Sequence, residues 1–393
     1  MSFKFLGYEL DKKTGLASFN YQSEDDKLTE KVQFEVESGE IDEEALNRAM
    51  FLAFIAIGTS YYKARAGQEV ELDAELTKEQ ANFFTKMYQE GMSQFAFENG
   101  LTRDNLARFE AKRSESRPVG PAELSEKSLV TISGGKDSLL SAEIISEGDA
   151  EWRAMYITAQ ESYPSIIDKF GKPIIVRRFI DKEGLKKIGG MNGHVPVTII
   201  NEAISLVQAI LINANHVEFG IGKEGIEPHA FIGDLPVNHQ WSKTPEAQDL
   251  IHQYVKRFIA SNLSVGSMLS RYSELEIAEM FAKKCWEKYG EEFSSCNVAN
   301  YKQDADNCTL KWCGKCAKCA NSYLLFAPFV PCAEQKKLFG HDLFEDPELT
   351  RIFKGLLGVD GVMKPFECVA STTELKWAYT HKLPGYGDLP FVV

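Results

Sequence analysis

Ser128-Leu-Val-Thr-Ile132 runs without a break into Ser133-Gly-Gly-Lys-Asp-Ser138, and Leu139-Leu-Ser-Ala-Glu-Ile-Ile-Ser-Glu-Gly148 follows. A short apolar run, a glycine pair and a helical pattern read as strand, tight loop and helix. Gly134 and Gly135 let the backbone turn sharply and present N–H groups to an anion. The helix that follows adds the positive end of its dipole. Lys136 supplies mobile charge, Ser133 and Ser138 supply hydroxyls, and Asp137 is suited to holding Mg²⁺ against phosphate oxygens. A Gly-Gly pair alone would be an ordinary turn; the agreement of hexamer, strand and helix favours a phosphate site. The GxxxxGK[ST] spacing is absent, so a kinase or GTPase is not implied.

Around this loop, residues 125–330 alternate strand-like and helix-like segments. WRAMYITA (152–159), KPIIVRRFI (172–180) and VEFGI (217–221) read as further buried strands. Ile200, Ala203, Ile204, Val207 and Leu211 form one helical stripe in 197–214. This alternation predicts an α/β fold, a doubly wound parallel sheet with helices on both faces. Residues 1–115 predict a small α+β N-terminal domain. Segment 3–37 alternates like two or three strands. From Asp42 onward a helix presents Leu46, Met50, Ala53, Ile57 and Tyr61, and a second helix spans about Thr77 to Phe97. A polar stretch, KRSESRPVGPAE (112–123), reads as a linker, and residues 331–393 read as a helical C-terminal extension.

Five of the eight cysteines are crowded together: Cys296, Cys308, Cys313, Cys316 and Cys319. Cys313-Gly-Lys-Cys316-Ala-Lys-Cys319 offers three thiols at two-residue gaps, and a fourth thiolate would close a tetrahedral Zn²⁺ shell. Cys296 and Cys308 both qualify as that fourth ligand. A four-iron cluster of the ferredoxin type would require Cys-Pro shortly after Cys319, where Tyr323 and Leu324 stand.

The hexamer Ser133–Ser138 resembles the SGGxDS signature of the PP-loop ATP pyrophosphatases. That resemblance implies cleavage of ATP to AMP and pyrophosphate, with adenylation of a substrate carboxylate. Some PP-loop enzymes, the deazaguanine nitrile synthases among them, carry a similar late four-cysteine zinc site, which favours Cys296 over Cys308. Further segments occur in a fixed order: SYYKA (60–64), NGHVPVT (192–198), VNHQWSK (237–243), FSSCN (293–297), KWCGKCAKC (311–319), LLFAPF (324–329) and KPFECV (364–369). Together with SGGKDS they are similar to the MurL epimerases of bacterial wall synthesis. The resemblance implies ATP-dependent inversion of the terminal L-glutamate of UDP-N-acetylmuramoyl-L-alanyl-L-glutamate, with ATP, Mg²⁺ and Zn²⁺ as cofactors. The other reading within the superfamily is a carboxylate-adenylating ligase or nitrile synthase. A reading from another class is a zinc-bearing binding module with a vestigial loop, against which the intact hexamer argues.

Two residues qualify as proton carriers. His239 lies in a polar loop and could titrate near neutral pH; Cys368, in KPFECV, could act as a thiolate. Lys243 and Lys364 suit phosphates or carboxylates, and His194, Lys223 and Glu224 are candidate substrate contacts, the last two at a strand end where open α/β sheets bind ligands. Each also has a plain structural reading as a packed or solvated side chain.

Across 393 residues, 44 Lys and Arg against 57 Asp and Glu leave a net charge of −13. That balance excludes a general nucleic-acid or anionic-membrane binder. Segment 171–190 is an exception, with six basic residues against two acids, and is expected to form a basic sheet edge. No run approaches the ~20 apolar residues needed to span a bilayer. The N-terminus lacks an apolar signal core, and a cytoplasmic protein without structural disulfides is expected.

Overall fold

The structure, a computed structural model, describes residues 3–115, 117–223, 225, 227–300 and 308–393. The chain opens with an antiparallel meander of β1 (Phe3–Asp11), β2 (Leu16–Ser23) and β3 (Asp26–Gln33). Helix α1 (Glu43–Tyr62) follows, capped by the Asp42 side chain on the Ala45 N–H, with Glu43 and Glu44 at the positive end of its dipole. The stripe from Leu46 to Tyr61 is buried as expected. The C-terminal half of α1 is buried on every side, because it lies between the meander and a later helix. Tyr21 and Tyr88 donate their hydroxyls to the α1 carbonyls of Phe54 (2.8 Å) and Ile55 (2.9 Å), so two buried phenols are satisfied there.

β4 (Val70–Leu72) pairs parallel to β1. The expected second helix is two, α2 (Lys78–Gln89) and α3 (Ser93–Glu98), broken where Pro196 and Trp241 crowd Gly91. Thr77 and Gln80 form a reciprocal capping box at the start of α2, a signal present in the sequence.

After residue 115 come β5 (Ser125–Thr131), α4 (Lys136–Ser146), β6 (Glu151–Thr158), β7 (Ile174–Phe179), α5 (Lys182–Ile188), α6 (Val197–Leu211) and β8 (Ala214–Glu218). The small hairpin of β9 (Ala230–Ile232) and β10 (Leu235–Val237), α7 (Pro245–Tyr254) and β11 (Ser264–Gly266) complete this part. The main sheet has nine strands in the order β11-β8-β5-β6-β7-β3-β2-β1-β4. β11, β8, β5, β6 and β7 pair parallel, whereas β7 meets β3 antiparallel. Strands from either side of residue 115 therefore share one sheet. Two expectations are corrected. Of VEFGI only Val217 and Glu218 are strand, and Phe219–Ile221 turn away toward the loop after β5. The basic segment is not a sheet edge: β7 is interior, with Val32 opposite Arg178. The open side of β7 is covered by the meander, a pairing that local composition does not encode.

The two faces of β5 feed separate cores. Leu129 belongs to the one filled by the meander, α1 and α6, and Val130 to the other, as strand alternation requires. The second core is closed by α8 (Glu274–Lys284), α9 (Trp286–Tyr289), α10 (Asn297–Asn300), α11 (Ala317–Phe326), α12 (Cys332–Phe339), α13 (Thr350–Leu356) and α14 (Thr372–Thr380). α11 packs against α8, α13 and α14, and every one of its residues except Lys318 is buried. Among the described residues no helix is long and apolar enough to cross a membrane.

Candidate active site and thiolate centre

The loop Ser133–Gly135 joins the C-terminal end of β5 to the N-terminus of α4, which Gly135 begins with no side-chain cap. Gly134 has φ +84°, a left-handed conformation that favours glycine, and the Leu310 side chain packs against the open side of its Cα. The Ser133 N–H donates to Ser138 Oγ (3.1 Å), whose hydroxyl donates to the Gly135 carbonyl (3.1 Å). These bonds close the loop on itself. Gly220, just past β8, approaches so closely that a Cβ would lie 2.6 Å from the Asp137 carbonyl carbon.

Lys136 is 5% exposed, and its ammonium meets Asp137 Oδ1 (2.5 Å) and Glu274 Oε2 (2.7 Å). A buried cation requires such partners, since its desolvation is otherwise unbalanced. Glu274, the first residue of α8, is invisible as a site residue in sequence. The Ser273–Glu276 capping box marks only a helix start.

A cavity of about 590 Å³ opens in front of the loop. Ser133, Gly135, Asp137 and Ser138 form one wall; Lys243, Lys318, Arg178 and Cys368 also reach it. Lys318 Nζ donates to the Cys368 carbonyl (2.9 Å), joining α11 to the KPFECV segment. A larger cleft, about 1350 Å³, lies at the β4 edge and contains none of the candidate residues.

Among the sequence candidates, the structure thus brings Lys243 and Cys368 to the loop. His239 and His194 lie outside the chamber wall, their rings 4.4 Å apart, with His239 Nδ1 2.6 Å from Gln94 Oε1. His229, which sequence reading passed over, stacks on Phe366 at 5.0 Å and sits 6.4 Å from His239. Burial pushes His194 down to about 3 and the other two to about 4, so all three are neutral at pH 7. Lys364 is paired with Glu227 (2.9 Å) beyond the chamber. Lys223 donates its backbone N–H to Tyr272 (2.7 Å), and its side chain is not part of the wall. Glu224 lies outside the described residues.

Cys296, Cys313, Cys316 and Cys319 converge, with all four Sγ atoms within 4.8 Å of one another. The separations are 3.7 Å for Cys296–Cys316, 3.7 Å for Cys313–Cys319 and 3.5 Å for Cys316–Cys319. A tetrahedron with 2.3 Å metal–sulfur bonds has edges of about 3.8 Å, so the spacing fits a single four-coordinate ion. Hydrogen bonds from Cys316 and Cys319 hold the Cys296 thiol far below the usual range, which favours a thiolate there. Cys308 is exposed and outside this group; its carbonyl accepts from the Ser165 N–H (2.9 Å).

Fold and site together define a mixed α/β protein with a glycine loop at the end of a parallel strand and a four-thiol centre beside it. A family model described as the MurL N-terminal domain matches residues 1–268, and one described as the MurL C-terminal domain matches 292–384. The chain belongs to the MurL family. It is 31% identical to the UDP-N-acetyl-alpha-D-muramoyl-L-alanyl-L-glutamate epimerase of Xanthomonas oryzae pv. oryzae, over 96% of this chain and 84% of that one. It is 30% identical to the protein of the same name from Salinispora tropica, over 100% of this chain and 87% of the relative.

Proposed function

We propose that this protein is an isomerase that inverts the terminal glutamate of UDP-N-acetylmuramoyl-L-alanyl-L-glutamate in peptidoglycan precursor synthesis, at the expense of ATP. The observation that carries the reading is one chamber lined by Ser133, Gly135, Asp137 and Ser138 of the loop together with Lys243, Lys318 and Cys368. The names of the near-full-length relatives support the substrate.

The chemistry follows from the weak acidity of a C–H next to a carboxylate, whose removal would give a dianionic enolate. In the proposed PP-loop, doubly wound core, the α-carboxylate oxygen attacks the α-phosphorus of ATP, pyrophosphate leaves, and the carboxylate is masked as an acyl-adenylate whose remaining charge sits on the phosphate. The loop amides and Lys136 would receive the departing pyrophosphate. Asp137 would hold Mg²⁺, which neutralises phosphate charge. Cys368, the proton-carrier candidate in the chamber wall, takes the α-proton. Return of a proton to the opposite face inverts the centre, and water then splits the adenylate into AMP and the D-glutamyl acid.

Cys296, Cys313, Cys316 and Cys319 would hold Zn²⁺ in a closed shell, where it contributes folding energy and leaves no position for substrate.

The test is incubation with ATP, Mg²⁺ and the L-glutamyl substrate in D₂O. The expected products are AMP, pyrophosphate and α-deuterated D-glutamate. Active enzyme that returned unlabelled L-glutamate would sink the reading.

A further inference from the structure

Arg178 and Glu30 form an ion pair in the interior, between β7 and β3. Arg178 is 8% exposed and Glu30 fully buried, with Nε to Oε1 at 2.7 Å. Tyr21 and Tyr61 stand beside the pair. Arg178 Nη2 and Glu30 Oε2 are both buried without a hydrogen-bond partner among the described residues, and the Arg178 side chain forms part of the chamber wall. An unspent guanidinium donor is costly in a protein interior and is expected where an anion completes the set.

A second, independent feature opens on the same chamber. The fifteen-residue helix α6 starts at Pro196 without any side-chain cap and without an acidic residue in its first turn. Val197, Thr198 and Asn201, all from that first turn or just after it, line the chamber. The positive end of a long helix and a buried arginine thus face one space that already contains the Ser133–Ser138 loop.

We infer that Arg178 and the N-terminus of α6 form an oxyanion subsite for the side-chain carboxylate of the substrate's terminal glutamate. This rests on the epimerase reading. That substrate ends in two carboxylates. One loses its charge on adenylation, while the other stays anionic throughout the cycle. A guanidinium that is always protonated suits the group whose charge never changes, and its planar fork matches a carboxylate. Glu30 acts through Arg178 as a positioning residue. The meander thereby contributes to the chamber without lining it.

The experiment compares the wild type with Arg178→Lys and Arg178→Gln, using the L-glutamyl substrate and its analogue with a terminal L-glutamine. Arg178→Lys keeps a buried cation should Arg178→Gln fail to fold. KM for ATP and for the acyl substrate are measured separately. The wild type should prefer glutamate over glutamine. In the variants the KM for the glutamyl substrate should rise at least ~30-fold and the preference should shrink, with KM for ATP nearly unchanged. A rise in KM for ATP alone would assign the anion to a nucleotide phosphate and overturn the inference. So would variants that discriminate as the wild type does. Glu30→Gln should reproduce part of the KM effect and leave the turnover number close to normal; a fall in turnover alone would argue against positioning. An inactive wild type would instead overturn the epimerase reading itself.

Discussion

The Ser294 N–H donates to the Gly134 carbonyl across 3.1 Å, tying the segment that leads into Cys296 to the glycine loop 160 residues earlier. The Ser294 hydroxyl accepts from the Cys296 N–H (3.0 Å) and donates to the Lys311 carbonyl (2.8 Å). Ser295 packs its hydroxyl against Gly135. The four-thiol centre and the loop therefore share a supporting segment.

Loss of the centre should be felt at the loop. Cys296→Ser should remove the bound metal, about one zinc per chain by elemental analysis. It should also lower the melting temperature by several degrees and weaken ATP binding in titration calorimetry. Full ATP affinity in a zinc-free, folded variant would separate the two features. Iron in place of zinc would overturn the metal assignment.

Lys136 is held by Asp137 and Glu274, two carboxylates at hydrogen-bond distance. Lys136→Ala should reduce AMP formation by at least ~100-fold, as removal of one preorganised charge from a reacting phosphate does elsewhere. Glu274→Gln keeps the shape but frees the ammonium from one anion, and should raise KM for ATP more than it lowers turnover. Unchanged turnover in Lys136→Ala would refute the phosphate-loop assignment.

Cys368 and His239 make different predictions about the proton step. Cys368→Ala should abolish deuterium uptake at the glutamate α-carbon, a loss of ~100-fold or more, while AMP release continues from futile adenylation and hydrolysis. His239→Gln should retain deuterium uptake, since His239 stands outside the chamber wall and bonds Gln94. The reverse pattern would move the proton-carrier role to His239.

Glu202 on α6 is fully buried and accepts from Gln248 Nε2 (2.8 Å). Burial raises its carboxyl from 4.5 to about 8. The folded protein therefore keeps this proton to a higher pH than the unfolded chain. The stability it confers is complete below about pH 4.5 and lost as the pH rises through 8. The three buried histidines add stability with rising pH up to about 6.5, so urea unfolding of the wild type should show the Glu202 effect above that range, as a decline of about 2 kcal/mol between pH 6.5 and 8. In Glu202→Gln the decline should largely vanish.

The hexamer Ser133–Ser138, its strand and its helix were legible because they are contiguous, and backbone turning there depends on Gly134 alone. Three of the four cysteines were legible for the same reason, since Cys313, Cys316 and Cys319 sit at fixed short spacing. The amphipathic α1 stripe was also visible in its periodicity. Arg178 left only a trace, as one of six basic residues in 171–190. Its burial against Glu30 depends on β3 and β7 pairing across 148 residues of chain. Glu274 and Lys318 left no readable signal.

By itself, then, the sequence determined the features whose parts are neighbours along the chain: the tight loop, the close-set thiols, the capped helices. Local backbone geometry and side-chain spacing specify these directly. Tertiary structure alone decided that Glu274 reaches Lys136 and that the meander extends the parallel strands into one sheet; it also brought Cys296, which the family resemblance had already favoured over Cys308, to the other three thiols. Each of these contacts depends on how two hydrophobic cores fold distant segments together, and many different sequences at either end would permit the same approach.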